Sequence, residues 1–278
     1  MNVVEALLRS LPAGERRRFE NIRFRDAGYG WDVFGMSPRA VAAAAALGAP
    51  AYESWFRVRS HGIEQLPAHG AAILAANHGG LLPIDGALVV LDVLRRTDPP
   101  RVLRAIGDLF IPFLPAVGTL FARAGVVNGT AANFARLLAD GELVLVFPEG
   151  APGIGKGWRR RYQLADWRVG HVELAIRHRV PVIPVGIIGA EEAWPALTRL
   201  EVRPFGAPFL PVPALPLPLP VRHDLHYGAP IALFERFRPA DADDPAVLAA
   251  AADLVKQAVA DLIGHGRAAR ASCRPELR

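Results

Sequence analysis

The sequence predicts an α/β fold, in which a mainly parallel central sheet is flanked by helices on both sides and preceded by an N-terminal helical extension. Short, continuous apolar runs at 71–76, 143–147 and 180–188 are typical of parallel strands buried on both faces. Stretches with helical periodicity lie between these runs. This alternation of strands and helices is the pattern of a parallel sheet covered by helices.

Length and composition favour one large domain with an appendage over two small domains. The chain has 278 residues, 51% of them hydrophobic, which is enough to bury a full core. We divide it into a helical N-terminal segment (1–54), a main domain (55–265) and a polar tail (266–278). The single cysteine, Cys273, lies in the tail, so neither a disulfide framework nor a thiolate metal site is expected, and no metal site is predicted.

The N-terminal elements are predicted from caps and periodicity. A short amphipathic helix covers 1–11, where charged residues interrupt any signal-peptide core. Ser37 and Pro38 mark the start of an alanine-rich helix, because serine is a frequent N-cap and proline is well tolerated at the first helical position. Alternating residues at 56–59 predict the first strand.

The next strand, at 71–76, ends close to a histidine. His78 follows it directly after Asn77, and Pro83 is expected to open the next helix. Asp85 would then lie in the first turn of that helix.

The rest of the chain continues the alternation: strand 102–106, helix 131–139, strand 143–147, helix 170–177 and strand 180–188. Pro181 and Pro184 predict that the last of these strands lies at an edge or that they mark its start. The proline-rich stretch 204–220 predicts an extended loop, 225–227 a strand and 245–263 a closing amphipathic helix.

The net charge of +5 rests almost entirely on arginine, since Lys156 and Lys256 are the only lysines. Such a surface favours an anionic partner, such as a lipid phosphate, a coenzyme phosphate or a nucleic acid. Nucleic acid is the weakest of these, and we predict no such partner, because the basic residues lack the interleaved aromatic side chains expected for binding single strands.

No membrane-spanning helix is predicted, because the apolar stretches 66–84 and 109–122 are interrupted by proline. The positive mean hydropathy of +0.21 favours a chain that lies on a membrane surface instead. Segments 1–11 and 204–220 are the candidate bilayer contacts. Ordinary packing against the core is the alternative for both segments.

His78 and Asp85 are the first candidate catalytic residues. A histidine at the end of a strand, with an aspartate a short loop away, is the pairing that takes a proton from an alcohol, because the carboxylate fixes the tautomer and stabilises the imidazolium. The alternative is a purely structural pair.

A second group follows the strand at 143–147. There a Pro-Glu-Gly turn places Glu149 at the carboxyl edge of the sheet, where open α/β sheets bind their ligands. Lys156 and the arginines at 159–161 could hold a phosphate. The alternative is a helix-capping glutamate followed by a solvated basic run. The glycines at 153–157 lack the spacing of a phosphate-binding P-loop, which excludes nucleotide hydrolysis.

Taken in order, these blocks resemble the glycerolipid acyltransferase family, which includes the lysophosphatidate acyltransferases. The resemblance covers about 55–235 and depends on four blocks: Asn77-His78 with Asp85; Gly118, Phe121 and Arg123; Phe-Pro-Glu-Gly at 147–150; and Val-Pro-x-x-Pro-Val at 180–185.

The first two blocks depart from the usual family pattern. Six residues separate His78 from Asp85 where the family usually has four, a form similar to the monoacylglycerol acyltransferase-like branch. Arg123 falls one residue early. On its own, Arg123 would be interpreted as a helix arginine that points to solvent.

The resemblance implies transfer of a fatty acyl group from an acyl thioester, on coenzyme A or acyl carrier protein, to a hydroxyl of a lysophospholipid or related glycerolipid. His78 would be the general base and Asp85 would hold its other ring nitrogen. The implied substrate-binding residues are Asn77, Gly118, Arg123, Glu149, Gly150, Lys156, Arg161 and Pro184. No bound cofactor is implied, and the expected location is peripheral, on the cytoplasmic face of a membrane.

Two other functions are alternatives to acyl transfer. A hydrolase using the same pair is disfavoured, because the chain lacks a Gly-x-Ser-x-Gly elbow. A non-catalytic lipid-binding or membrane-associated protein that keeps the fold remains the alternative, and the long His78 to Asp85 spacing is its best argument.

Overall fold

The computed structural model describes residues 3–154 and 156–272, and the strands in this part of the chain form two sheets. In chain order the strands are β1 (Arg59–His61), β2 (Ala72–Ala76), β3 (Leu103–Gly107), β4 (Val127–Asn128), β5 (Leu143–Val146), β6 (Val182–Ile188), β7 (Ala196–Leu200), β8 (Leu210–Pro213) and β9 (Asp224–Tyr227). The central sheet has the order β1-β9-β6-β2-β5-β3-β4, and β7 pairs with β8 in a separate arm.

Parallel pairing dominates the central sheet. The middle strand β2 pairs in parallel with β5 and with β6, and only the β6–β9 pair is antiparallel. The helices are α1 (Val3–Ser10), α2 (Ala13–Phe19), α3 (Pro38–Pro50), α4 (Ile84–Arg96), α5 (Val117–Arg123), α6 (Ala131–Ala139), α7 (Gly170–His178), α8 (Ala190–Ala193), α9 (Leu233–Arg236) and α10 (Pro245–Ser272).

Alternate residues of the central strands face two separate cores. Leu74 of β2 packs with α3 and α4 on one face, whereas Ile73 packs with α6, α7 and α10 on the other. This alternation follows from the two-residue period of a strand. The predicted class, a mainly parallel sheet between helices with helices at the N-terminus, is therefore confirmed.

Pro184 does not mark an edge or the start of its strand, so that expectation was wrong. β6 lies inside the sheet, between β9 and β2. The Pro184 carbonyl accepts a hydrogen bond from the Gly228 N–H at 2.9 Å, one residue beyond the end of β9. The missing proline N–H therefore falls where the β6–β9 ladder has ended, which explains why the interior strand tolerates it.

Three other local expectations were corrected. The strand predicted at 56–59 begins only at Arg59, because 56–58 are an irregular link between a π-helical turn over Ala51–Trp55 and β1, and Arg57 in this link has φ +46°. Phe56 and Val58 are buried in this link, which explains their apolar alternation. Within 204–220, β8 pairs with β7, so this stretch is not only a loop. The closing helix continues past 263 and includes 266–272 of the predicted tail.

Part of the apolar side of the N-terminal helix packs on the core. Leu7 and Leu8 are partly buried against it and Leu11 is buried, whereas Val3 is 73% exposed. Core packing, one of the two alternatives for 1–11, therefore holds for Leu7, Leu8 and Leu11. Within residues 3–154 and 156–272, no helix combines the length and apolar character needed to cross a bilayer.

The topology gathers the ends of five strands at one edge. β2, β3, β4, β5 and β6 all run in the same direction, so the residues after each of them meet at the carboxyl edge of the sheet. Ligands of open α/β sheets bind at this edge.

Candidate active site

His78 is positioned by the end of β2. The side-chain amide of the preceding Asn77 accepts from the Ile187 N–H at 2.7 Å and donates to the Ile187 carbonyl at 3.0 Å. These two bonds join the ends of β2 and β6, so the predicted substrate contact of Asn77 would have to compete with them. They therefore fix the position of the backbone directly before His78, where the chain leaves the sheet.

The structure brings His78 and Asp85 together. The loop after His78 turns at Gly80, which has φ +88°, and α4 begins at Ile84. Asp85 lies in the first turn of α4, and its Oδ2 is 2.7 Å from the His78 Nδ1. The longer spacing between the two residues is thus accommodated by the glycine turn and the following helix start.

The dyad is buried and held on several sides. The Asp85 carboxylate also accepts from the backbone N–H groups of Gly79 at 2.9 Å and Gly86 at 2.8 Å. The His78 ring stacks on Phe147, with ring centroids 4.0 Å apart. Backbone donors stabilise the charged form of a carboxylate, and the stacked ring limits the rotation of the imidazole.

Glu149, which follows the adjacent strand β5, contacts the dyad through the backbone of His78. Its Oε1 accepts from the His78 N–H at 3.1 Å, and its Oε2 accepts from the Ala165 N–H at 2.7 Å. The side chain is buried, at 2% exposure. Both oxygens therefore have protein partners, and these contacts position the backbone at His78 and Ala165. Contact with an acceptor hydroxyl, predicted for Glu149, stays a prediction.

Lys156 lies inside the site and not on the surface. Its Nζ is 2.6 Å from Glu149 Oε2 and 3.5 Å from Glu191 Oε1. Glu191 follows β6, and its Oε2 accepts from the Tyr162 N–H. Burial raises the pKa of Glu191 to about 7, although the Lys156 charge opposes this. Phosphate binding by Lys156 would have to compete with these two carboxylates.

Two glycines give the loop after β5 its close fit. Gly150 has φ +59°, a conformation that favours glycine. A β-carbon on Gly153 would lie 2.8 Å from the His78 Cβ, which is too close for a side chain. Arg161 lies further along the loop, half-buried and stacked on Trp158 at 4.3 Å. Pro184 is buried in the middle of β6, and its ring lies beside Gly228.

Gly118 and Arg123 occupy a second place on the same edge. They line a cavity of about 440 Å³ at the ends of β3 and β4, which we call the β3–β4 cavity. β3 and β4 are two and three strands from β2, or about 10 and 14 Å. The Arg123 guanidinium stacks on Trp31 at 3.8 Å and donates to the Gly35 carbonyl at 3.1 Å. The structure thus does not bring these two residues together with the dyad.

Sequence reasoning missed Glu191, Tyr162 and Trp31. Glu191 comes soon after a buried parallel strand, the same signal that identified Glu149. Tyr162 has positive φ, and its hydroxyl accepts from the Gly189 N–H at 2.9 Å, which no local pattern indicates. Trp31 reaches Arg123 only through the tertiary fold.

The geometry fits general-base chemistry. With Nδ1–H donating to Asp85, the imidazole presents Nε2 to a hydroxyl, and the carboxylate stabilises the imidazolium that forms. Glu149 holds the His78 backbone N–H, and Lys156 contacts the Glu149 carboxylate.

Comparison with known proteins points to one family. Residues 57–188 match the acyltransferase family model. An uncharacterized protein of Mycobacterium tuberculosis is 38% identical over 219 residues, which are 75% of this chain and 61% of that protein. A human DGAT1/2-independent enzyme synthesizing storage lipids is 26% identical over 190 residues, 64% of this chain and 54% of that protein. The chain thus spans about three fifths of the mycobacterial relative and about half of the human one.

A solved structure shares the fold. The crystal structure of the 1-acyl-sn-glycerophosphate (LPA) acyltransferase PlsC from Thermotoga maritima matches with a TM-score of 0.57 and 18% identity, over 83% of this chain and 80% of that one. The match to the acyltransferase family model and the shared fold thus confirm the resemblance of this chain to the glycerolipid acyltransferase family.

Proposed function

We propose that the protein transfers a fatty acyl group from an acyl thioester, on coenzyme A or acyl carrier protein, to a hydroxyl of a lysophospholipid or related glycerolipid. The observation that carries this proposal is the buried contact of 2.7 Å between His78 Nδ1 and Asp85 Oδ2, at the carboxyl edge of the sheet. The match of residues 57–188 to the acyltransferase family model supports acyl transfer as the reaction class.

In the proposed mechanism, His78 Nε2 takes the proton of the acceptor hydroxyl as its oxygen attacks the thioester carbonyl carbon. The new carbon–oxygen bond forms a tetrahedral intermediate, and Asp85 stabilises the imidazolium. The intermediate collapses with cleavage of the carbon–sulfur bond, and the imidazolium returns its proton to the departing thiolate. No covalent acyl-enzyme is needed, because the substrate's own hydroxyl is the nucleophile.

The acceptor is expected to be a lipid with a free hydroxyl. Arg123 and Arg161 are candidate ligands for a phosphate on the acceptor or the donor, and both are more accessible than Lys156. We propose that the protein works at the cytoplasmic face of a membrane as a peripheral protein. Its arginine-rich charge supports contact with anionic lipid.

The non-catalytic alternative relied on the long spacing between His78 and Asp85. The hydrogen bond between their side chains removes that argument, because the dyad is assembled in spite of the two extra residues.

The proposal is tested with pure protein, a labelled acyl-CoA and a mixture of lysophosphatidate, other lysophospholipids and monoacylglycerol. Extraction of a labelled acylated lipid, dependent on the thioester and on His78, would support it. Lipid binding without any product from acyl-CoA or acyl carrier protein donors would favour the non-catalytic alternative.

A further inference from the structure

A group of large apolar side chains is exposed around the β3–β4 cavity. Leu109, Phe113 and Leu120, before and within α5, are 58%, 70% and 66% exposed. Phe205 of the β7–β8 arm is 59% exposed, and Trp31 is 38% exposed. Solvated single residues of this kind are ordinary, whereas a contiguous group marks an interaction surface.

Contacts between these segments show that the stretches of chain that carry the exposed side chains adjoin one another. A β-carbon on Gly206 would lie 3.6 Å from the Phe110 Cβ, so the arm touches the segment before α5. On the other side, Gly35 lies against Ala122, and Trp31 stacks on Arg123 at the end of α5. We call the surface formed by Trp31, Leu109, Phe113, Leu120 and Phe205 the apolar face.

The apolar face adjoins the edge of the sheet that carries the dyad. The segment at 108–113 follows β3 directly, and His78 follows β2 at the same edge. Arg199 of the β7–β8 arm links the apolar face to the dyad site, because its guanidinium donates to the carbonyls of Pro152 and Ile154 in the loop beside His78.

Charge next to the apolar face is strongly positive. Segments 108–123, 158–161 and 199–206 contain two acidic residues, Asp108 and Glu201, against six arginines: Arg123, Arg159, Arg160, Arg161, Arg199 and Arg203. The turn that carries Trp31 adds Asp26 and the buried Asp32, which is paired with Arg104. Exposed apolar side chains beside arginines match the two layers of an anionic bilayer surface, whose acyl region accepts the former and whose phosphates attract the latter.

We propose that the apolar face docks on a lipid bilayer and brings the sheet edge that carries His78 to the membrane. This inference rests on the proposed function for the lipid nature of the acceptor. The bilayer contact then consists of α5, the segment at 108–113 before α5, the turn that carries Trp31, and the β7–β8 arm. α1 is not assigned to this contact, because Leu7 and Leu8 pack against the core.

The experiment compares two variants of the full chain by vesicle flotation. One combines Phe113→Ser, Leu120→Ser and Phe205→Ser, and its control combines Val3→Ser and Leu47→Ser, which replace residues that are 73% and 70% exposed outside the apolar face. Vesicles contain neutral phosphatidylcholine with or without anionic phosphatidylglycerol. We expect the first variant to lose about tenfold or more of its partitioning to anionic vesicles, while the control keeps the wild-type value.

Equal binding of the wild type and the first variant would overturn the proposal. So would a wild-type dimer, detected by sedimentation, that the first variant converts to monomer without any change in vesicle binding, because the face would then join two copies of the chain.

Activity with a dispersed, short-chain acceptor separates this inference from the proposed function. If the apolar face serves docking, the first variant should acylate the dispersed acceptor at the wild-type rate and lose activity only on vesicles. A wild-type protein that binds vesicles through this face but acylates neither form of the acceptor would contradict the proposed function and leave docking supported.

Discussion

The dyad site and the β3–β4 cavity lie on one edge of one sheet, yet they are built differently. At the dyad, Asp85 and Glu149 are almost fully buried and each accepts at least two hydrogen bonds from the protein. At the cavity, the adjoining strand β4 has only two residues, and Arg123 is half-buried against an aromatic ring. One place is rigid and polar, and the other is open and apolar.

This difference suggests a division of labour. A general base must be held in one geometry before the substrate arrives, and buried carboxylates with backbone donors supply that order. A lipid-contacting surface gains from exposure, because its partner replaces the water. We therefore expect variants at the dyad site to change the rate of acyl transfer, and variants at the β3–β4 cavity to change lipid recognition.

The largest effect is expected from His78→Ala. Loss of a positioned general base should lower kcat/KM for acyl transfer about 10³-fold. The measurement is labelled product formed from acyl-CoA, and vesicle flotation serves as the control because the apolar face is unchanged. Wild-type activity in this variant would show that His78 is not the base.

Asp85→Asn should have the next largest effect. The amide nearly preserves the shape of the side chain but removes the negative charge that stabilises the imidazolium, so we expect kcat to fall about 10²-fold. The thermal unfolding midpoint is measured alongside, since Asp85 also accepts from Gly79 and Gly86. A variant with normal stability and normal kcat would reduce Asp85 to a structural role.

Glu191 is expected to make stability depend on pH. Its pKa is about 7 in the folded protein against 4.5 ordinarily, so the folded state binds more protons between these values. The contribution of protonated Glu191 to the free energy of unfolding is therefore complete below pH 4.5 and is lost as pH rises through 7. The shift corresponds to about 3 kcal/mol.

Urea denaturation between about pH 4.5 and about pH 8 measures this dependence as a difference between the wild type and Glu191→Gln. The wild type should lose about 3 kcal/mol relative to the variant as pH rises through this range. Glu192→Gln is the matched control, because it changes the neighbouring carboxylate and leaves the Lys156 contact intact. A constant difference between the wild type and Glu191→Gln would refute the raised pKa.

Much of the dyad site could be predicted from the sequence, because strand ends have a local signature. His78 and Glu149 each lie within three residues of a continuous buried strand, and parallel pairing brings such positions to one edge. The same signal was available for Glu191. Burial of Lys156 was not predictable, since it depends on a loop folding back between two carboxylates.

The cavity side could be predicted much less well. Trp31 and Arg123 are 92 positions apart, and their stacking depends on how the N-terminal segment packs beside α5. β4 is too short to show any periodicity. The strand expected at 56–59 begins only at Arg59 for a related reason, because the buried residues of an irregular link, Phe56 and Val58, imitate the alternation of a strand.

The smallest predicted effect tests which place holds the acceptor's phosphate. Arg123→Lys keeps the charge but loses the planar guanidinium, which can bind phosphate through two donors and also stacks on Trp31. If Arg123 binds phosphate, kcat/KM for lysophosphatidate should fall about tenfold, while kcat/KM for monoacylglycerol stays unchanged. Arg161→Lys is the matched variant on the dyad side. If Arg161→Lys lowers kcat/KM for lysophosphatidate but not for monoacylglycerol, and Arg123→Lys changes neither, the phosphate binds beside His78. The β3–β4 cavity would then make apolar contacts alone.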